Sequence, residues 1–231
     1  MESFNNRSLF DRGFDAILFD MDGTLVDSTV AVERTWKRWA EKHGLDLESI
    51  LKASHGMRTI ETVRRFAPPD IDPEKEAGEL EASEIADVDG IVAVPGAQEL
   101  LKSLPTDRWA IVTSASRELA ARRLSAASLW VPEVIVTAND VSAGKPNPEG
   151  YEKAAAYLGV SCKNCLIIED AHAGIKAAEN AGASVLVVTA THRTPITTFY
   201  VSIRNFQEIR STLDQTGQIV LTTIAHDGGI A

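Results

Sequence analysis

Phe19-Asp20-Met21-Asp22-Gly23-Thr24 closes the run Asp15-Ala16-Ile17-Leu18-Phe19 and sets two carboxylates one residue apart directly behind it. An unbroken apolar run of this length, bounded by turn residues, is the pattern of a parallel strand buried on both faces. In open α/β sheets, ligands bind beyond the carboxyl ends of such strands. Asp20 and Asp22 therefore leave a strand end where a site is expected, and Gly23 permits a tight turn and close approach of backbone to a ligand. Carboxylates so placed suit a hard, oxygen-seeking cation such as Mg²⁺. Asp-Gly also makes ordinary turns, so the pair alone leaves its chemistry open.

Outward from this stretch, residues 1–14 are polar and irregular and are expected to form a loose tail. Downstream, Val32, Trp36, Trp39 and Ala40 recur at helical spacing. They predict an amphipathic helix over Val30 to His43, with Ser28 or Thr29 as N-cap and an end near Gly44. Both tryptophans are read as core residues on its apolar stripe. Further helices are expected over Leu47 to Ala53, Thr59 to Phe66 and Glu74 to Ile85, with Pro68-Pro69 and Pro73 as breakers. No buried strand is predicted between Ser28 and Val92. The chain thus divides into an α/β core over residues 1–27 and 93–231 and an inserted helical cap over 28–92.

The alternation resumes with a helix over Ala97 to Leu104, a strand over Trp109 to Val112, a helix over Arg117 to Ser125 and a strand over Val134 to Val136. Next come a helix over Pro148 to Leu158, the strand Cys165 to Ile168, a helix over Ala173 to Ala181 and the strand Val185 to Val188. Strands and helices alternating in this way predict right-handed crossovers and a Rossmann-like parallel sheet covered on both faces. The fold class is α/β with an inserted all-helical cap domain. Polar residues recur at the strand ends: Asp20 and Asp22, Thr113 and Ser114, Glu169 and Asp170. Beyond Thr189 the signal weakens, with an edge strand at Phe199 to Ile203, a helix at Gln207 to Leu213 and a last strand at Ile219 to Ile224.

With 231 residues, 44% hydrophobic and 24% charged, the chain reads as a soluble globular protein able to bury a full core. A formal net charge of -10 argues against nucleic acid or an anionic membrane as partner and leaves small molecules. Met1-Glu2-Ser3-Phe4-Asn5-Asn6-Arg7 lacks the apolar core of a signal peptide, so a cytoplasmic protein is expected; a monomer is expected too. Cys162 and Cys165 form a C-x-x-C without a second Cys/His pair at zinc spacing, and are read as having neither a redox nor a zinc role.

Four motifs in order carry a resemblance: Asp20-x-Asp22-Gly23-Thr24, Thr113 behind an apolar strand, Lys145 in Gly144-Lys145-Pro146, and Glu169-Asp170. Over essentially its whole length the chain resembles the haloacid-dehalogenase superfamily of phosphohydrolases. The inserted helices resemble the cap of its sugar-phosphatase and phosphoglucomutase subgroup. Ser54-His55-Gly56-Met57-Arg58-Thr59 and Thr137-Ala138-Asn139-Asp140-Val141 are similar to segments of glycerol, 2-deoxyglucose-6-phosphate and bacterial hexose or hexitol phosphatases.

This resemblance implies a Mg²⁺-dependent phosphatase acting on small sugar or polyol phosphates. Asp20 would attack phosphorus to form an aspartyl-phosphate, and Asp22 would act as general acid and base. Thr113 and Ser114 would hold phosphoryl oxygens, and Lys145 would supply a point charge. The metal would take the Asp20 carboxylate, the Asp22 main-chain carbonyl and Asp170, with Glu169 as a direct or water-mediated ligand. Substrate recognition falls to Arg58, with His55 and Gly56 beside it, although His55 is equally readable as structural. The alternatives are a hexose-phosphate mutase, or a phosphosugar-binding regulator without turnover.

Overall fold

The computed structural model describes residues 9–193 and 198–224, so the reading of Met1 to Arg7 lies outside the described residues. The chain enters through β1 (Ala16–Phe19), whose four residues are all buried, and passes the Asp-Gly turn into β2 (Val26–Asp27). Four helices follow: α1 (Thr29–His43), α2 (Leu47–Ser54), α3 (Thr59–Phe66) and α4 (Pro73–Ala86). β3 (Val92–Ala93) then pairs antiparallel with β2, so the two crossings between helical block and sheet lie side by side. The core continues through α5 (Ala97–Ser103), β4 (Trp109–Val112), α6 (Arg117–Ala126), β5 (Ile135–Val136) and α7 (Glu149–Tyr157). It closes with β6 (Cys165–Glu169), α8 (His172–Asn180), β7 (Ser184–Val188), β8 (Val201–Ile203), β9 (Ile209–Leu213) and β10 (Ile219–Thr223).

β5, β4, β1, β6, β7 and β8 form one six-stranded sheet in that order, parallel throughout. Its period-2 alternation divides the apolar side chains between two layers. Ile17, Phe19, Ile111, Leu166, Ile168 and Leu186 enter one buried cluster, and Ala16, Leu18, Ala110, Val112, Ile167 and Val185 the other. No helix among the described residues is long and apolar enough to cross a membrane.

Two expectations fail in the carboxyl-terminal region and the tail. The helix expected over Gln207 to Leu213 is a 3₁₀ turn followed by strand β9, which pairs antiparallel with β10. Asp214 explains the hairpin, because its Oδ1 accepts from Thr216 N (2.8 Å) and Gln218 N (2.9 Å) while Gly217 supplies a φ of +81°. Ile209, Ile219 and Leu221 then point into the core at period 2. The expected tail is not loose at its end, since Phe14 is fully buried and bridges Ile219.

The helical block has a core of its own, built from Trp36, Trp39, Ala40, Ile50, Val63, Ala77 and Leu80. It also holds a buried carboxylate. Glu76 of α4 accepts from Trp39 Nε1 (2.8 Å) and Lys42 Nζ (2.9 Å) of α1, and His43 Nε2 lies 3.1 Å away. The bond from Lys42 leads these donors in holding the Glu76 carboxyl at about 2. A depressed carboxyl stabilises the fold above its unfolded value, near 4.3, and that contribution disappears as pH falls towards the folded value. Thermal melts of the wild type should therefore fall between pH 4.5 and 2 more steeply than those of Glu76→Gln. Parallel curves would remove Glu76 from the account.

Candidate active site

β4, β1 and β6 are neighbours in the sheet, so the polar residues that follow them meet at one edge. Asp20 N still donates to Ile168 O (2.9 Å), which carries the parallel pairing one residue past β1. Lys145 reaches this edge from the loop before α7, and its Nζ donates to Asp20 Oδ1 (2.5 Å) and Glu169 Oε1 (2.6 Å). Asp20, Lys145, Glu169 and Asp170 are all buried. Burial, and then Glu169, push the Asp20 carboxyl well above its ordinary value. Burial alone would depress the Lys145 ammonium, but Asp20 and Glu169 hold it above its usual range.

Glu169 is fully committed to protein donors. Oε1 accepts from Lys145 and from Tyr151 OH (2.6 Å), and Oε2 from Asp170 N (3.1 Å) and Ala171 N (3.3 Å). Burial and the adjacent Glu169 raise the Tyr151 hydroxyl well above its ordinary value, which keeps it a donor. At Gly174 on α8 a Cβ would lie 1.6 Å from Glu169 Oε1, so a glycine is what lets the carboxylate sit over the helix. Gly23 plays the same part for Asp170: its φ is +89°, and a Cβ there would lie 2.0 Å from Asp170 Oδ2.

Asp20, Glu169 and Asp170 each bring a carboxylate oxygen within 4.8 Å of the others. Three buried carboxylates answered by Lys145 and, at Asp170, by His55 still leave excess negative charge among hard oxygen donors, which is the donor chemistry Mg²⁺ takes. Asp20 and Asp170 are the pair best placed for it, because Glu169 already serves Lys145 and Tyr151. His55 Nε2 lies 2.7 Å from Asp170 Oδ2, and that hydrogen bond leads the causes that push the imidazole up to about 9.

Beside the cluster opens a cavity of about 330 Å³, lined from the sheet edge by Asp20, Asp22, Thr113 and Ser114 and from the helical block by Trp36, His55 and Gly56. That size lies at the lower end of the range, ~300–1,000 Å³, for small-molecule pockets. Ser114 Oγ donates to Gly56 O (2.8 Å), fastening the helical block to the sheet edge.

Over residues 14–182 the sequence matches the model of the haloacid dehalogenase-like hydrolases. The chain belongs to that family. Among curated relatives, it is 40% identical to hexitol phosphatase A of Escherichia coli (strain K12), covering 88% of this chain and 97% of that one. It is 36% identical to 2-deoxyglucose-6-phosphate phosphatase 1 of Saccharomyces cerevisiae (strain ATCC 204508 / S288c), covering 77% and 81%. Among solved structures, a hydrolase from Pseudomonas syringae superposes with a TM-score of 0.70 at 28% identity, covering 78% of this chain and 87% of that one.

Not every residue expected at the hydrolase's site lines its cavity. Arg58 turns away: its guanidinium pairs with Glu61 (Nε to Oε1, 2.9 Å) and lies against Gly144 of the lysine loop. The guanidinium groups at the cavity are those of Arg123 on α6 and Arg193, residues the sequence reading passed over. For Arg123 the signal was available, since it shares the buried face of α6 with Leu119, Ala120 and Leu124, and a charge on an apolar stripe asks for a partner. Ser28 stands at the N-cap position of α1 as expected, but its side chain makes no capping bond: its Oγ donates to Asp22 Oδ1 (2.7 Å), and Asp27 Oδ1 accepts from Thr29 N (3.0 Å) instead. Cys162 and Cys165 lie away from this edge, and burial pushes their thiols up to about 11 and about 12, opposite to a reactive thiolate.

Proposed function

We propose that this hydrolase is a Mg²⁺-dependent phosphatase of small sugar or polyol monophosphates, with residues 28–92 as its cap domain. The observation that carries the reading is the buried Asp20–Lys145–Glu169–Asp170 cluster facing a cavity roofed by the helical block. The phosphatase names of the relatives support the substrate class.

Phosphoryl transfer needs alignment and charge neutralisation above all. An Asp20 oxygen attacks phosphorus, forming an aspartyl-phosphate as the bond to the sugar oxygen breaks. Asp22 gives its proton to that departing oxygen and then takes one from the water that attacks the intermediate. Lys145 holds Asp20 Oδ1 in a fixed direction, and Thr113 and the Ser114 amide receive phosphoryl oxygens. Mg²⁺, held by the Asp20 and Asp170 carboxylates and the Asp22 carbonyl, would neutralise phosphate charge and keep the nucleophile in line. The cap excludes water during these steps.

The charges around the cavity favour a neutral, hydroxyl-bearing leaving group. Arg123 is paired with Asp22 and Glu84, and Arg193 with Glu33. A second phosphate on the substrate would meet carboxylates whose cations are already engaged. One uncompensated like-charge contact near 4 Å is worth about 1–4 kcal/mol between water and protein surface. Inorganic phosphate release across hexitol, deoxysugar and glycerol monophosphates, with Mg²⁺, should exceed release from matched bisphosphates by roughly tenfold or more. Preference for bisphosphates would overturn the cavity reading, and interconversion of hexose phosphates without release would overturn the phosphatase.

A further inference from the structure

Asp22 leaves the same strand end as Asp20, yet its carboxylate is held by a different set of groups. Ser28 Oγ donates to Oδ1 (2.7 Å), and Arg123 NH1 pairs with Oδ2 (2.8 Å). The other arm of that guanidinium, NH2, donates to Glu84 Oε1 (2.7 Å) on α4 of the helical block. Arg123 and Glu84 are both buried, at 5% and 7% exposure, and Arg123 Nε has no partner among the described residues. Burying an arginine between two carboxylates is poor evidence for stability, since well-packed apolar side chains often serve as well or better. Its position against Asp22 gives it another use.

We infer that Arg123 is a positioning residue for the acid–base step, selecting Oδ1 as the oxygen of Asp22 that carries the proton. The inference rests on the acid–base reading of Asp22. A guanidinium has five N–H donors and no acceptor, so the oxygen it faces must remain an acceptor. The proton is left to Oδ1, whose neighbour Ser28 has a hydroxyl able to turn from donor to acceptor. In the first half-reaction the Oδ1–H bond breaks, its proton goes to the bridging ester oxygen, the P–O bond to the leaving group breaks and the Asp20 O–P bond forms. In the second, Oδ1 regains a proton from water as the water oxygen bonds to phosphorus and the Asp20 O–P bond breaks. Glu84 anchors the far edge of the guanidinium, so the direction of Asp22 depends on the helical block being seated.

The test compares kcat/KM on three substrates: the best polyol phosphate from the panel, propyl phosphate and p-nitrophenyl phosphate. The first two need a protonated leaving oxygen; nitrophenolate departs without one. Arg123→Met should lower kcat/KM on the first two by roughly 100-fold, the scale of general acid catalysis, and on p-nitrophenyl phosphate by less than about threefold. Arg123→Lys, which keeps one donor towards Oδ2, should recover part of the loss. Glu84→Gln should lose about tenfold on the same two substrates, and it carries the test if Arg123→Met does not fold. Equal loss on all three substrates would assign Arg123 to the scaffold, and loss on the polyol phosphate alone would assign it to hydroxyl recognition; either overturns the inference. Full activity of both Arg123→Met and Glu84→Gln also overturns it while leaving Asp22 in place. If Asp22→Asn spares propyl phosphate, the acid–base reading itself fails and takes the inference with it.

Discussion

Asp20→Asn is expected to abolish phosphate release while raising the melting temperature of the metal-free protein. The loss follows from chemistry, because an amide oxygen cannot supply the nucleophile for an aspartyl-phosphate; removal of a nucleophile can cost on the order of 10⁶-fold in kcat. The gain follows from charge. Asp20, Glu169 and Asp170 are buried together, and Lys145 is the lysine that answers them. Burial and Glu169 already push the Asp20 carboxyl up, which means that the fold resists its ionisation. Asparagine keeps an acceptor for Lys145 Nζ and removes one negative charge. For a chain of this size each kcal/mol moves the melting temperature by about 2–4 °C. Melts in EDTA should thus show the variant above wild type, and saturating Mg²⁺ should narrow or reverse the gap. An Asn variant that retains a hundredth of wild-type turnover would remove Asp20 as nucleophile, and one that melts lower in EDTA would refute the charge argument.

The same physics separates what was legible in the sequence from what was not. The sheet was legible because its strands are buried on both faces, and runs such as Cys165 to Ile168 read as continuous apolar segments with polar ends. Asp20, Lys145 and Asp170 were legible because motif order carries their positions. Arg58 does not line the larger cavity because the sequence does not fix which way a side chain turns at a helix start; there its guanidinium found Glu61 three residues on. Glu84 and Arg123 were missed because they lie 39 residues apart, and only the packing of α4 against α6 brings them together. β9 was lost to helix because it is short and largely exposed, whereas its partner β10 was expected as the last strand. Asp214 and Gly217 marked the turn all the same.

Lys145→Met should be the most destabilising single change at the site. Removing one partner of a buried ion pair leaves an uncompensated charge and costs about 3–5 kcal/mol. Here two carboxylates lose their cation together, Asp20 Oδ1 at 2.5 Å and Glu169 Oε1 at 2.6 Å. Glu169 would keep Tyr151 and two backbone amides, but Asp20 would keep no side-chain donor among the described residues and would swing from the direction in which it must attack. Turnover should fall by about 10²–10³-fold or more, the cost of losing one preorganised electrostatic group at a reacting centre. Chemical denaturation of both single variants and the double variant decides whether charge is the cause. In the Asp20→Asn background the lysine has one carboxylate fewer to neutralise, so the cost of Lys145→Met should shrink by well over 0.5 kcal/mol, the limit within which independent sites add. Additive changes would mean that the pair with Asp20 contributes nothing measurable and that Lys145 stabilises the fold through Glu169 and the Tyr151 ring, over which its Nζ lies at 5.3 Å.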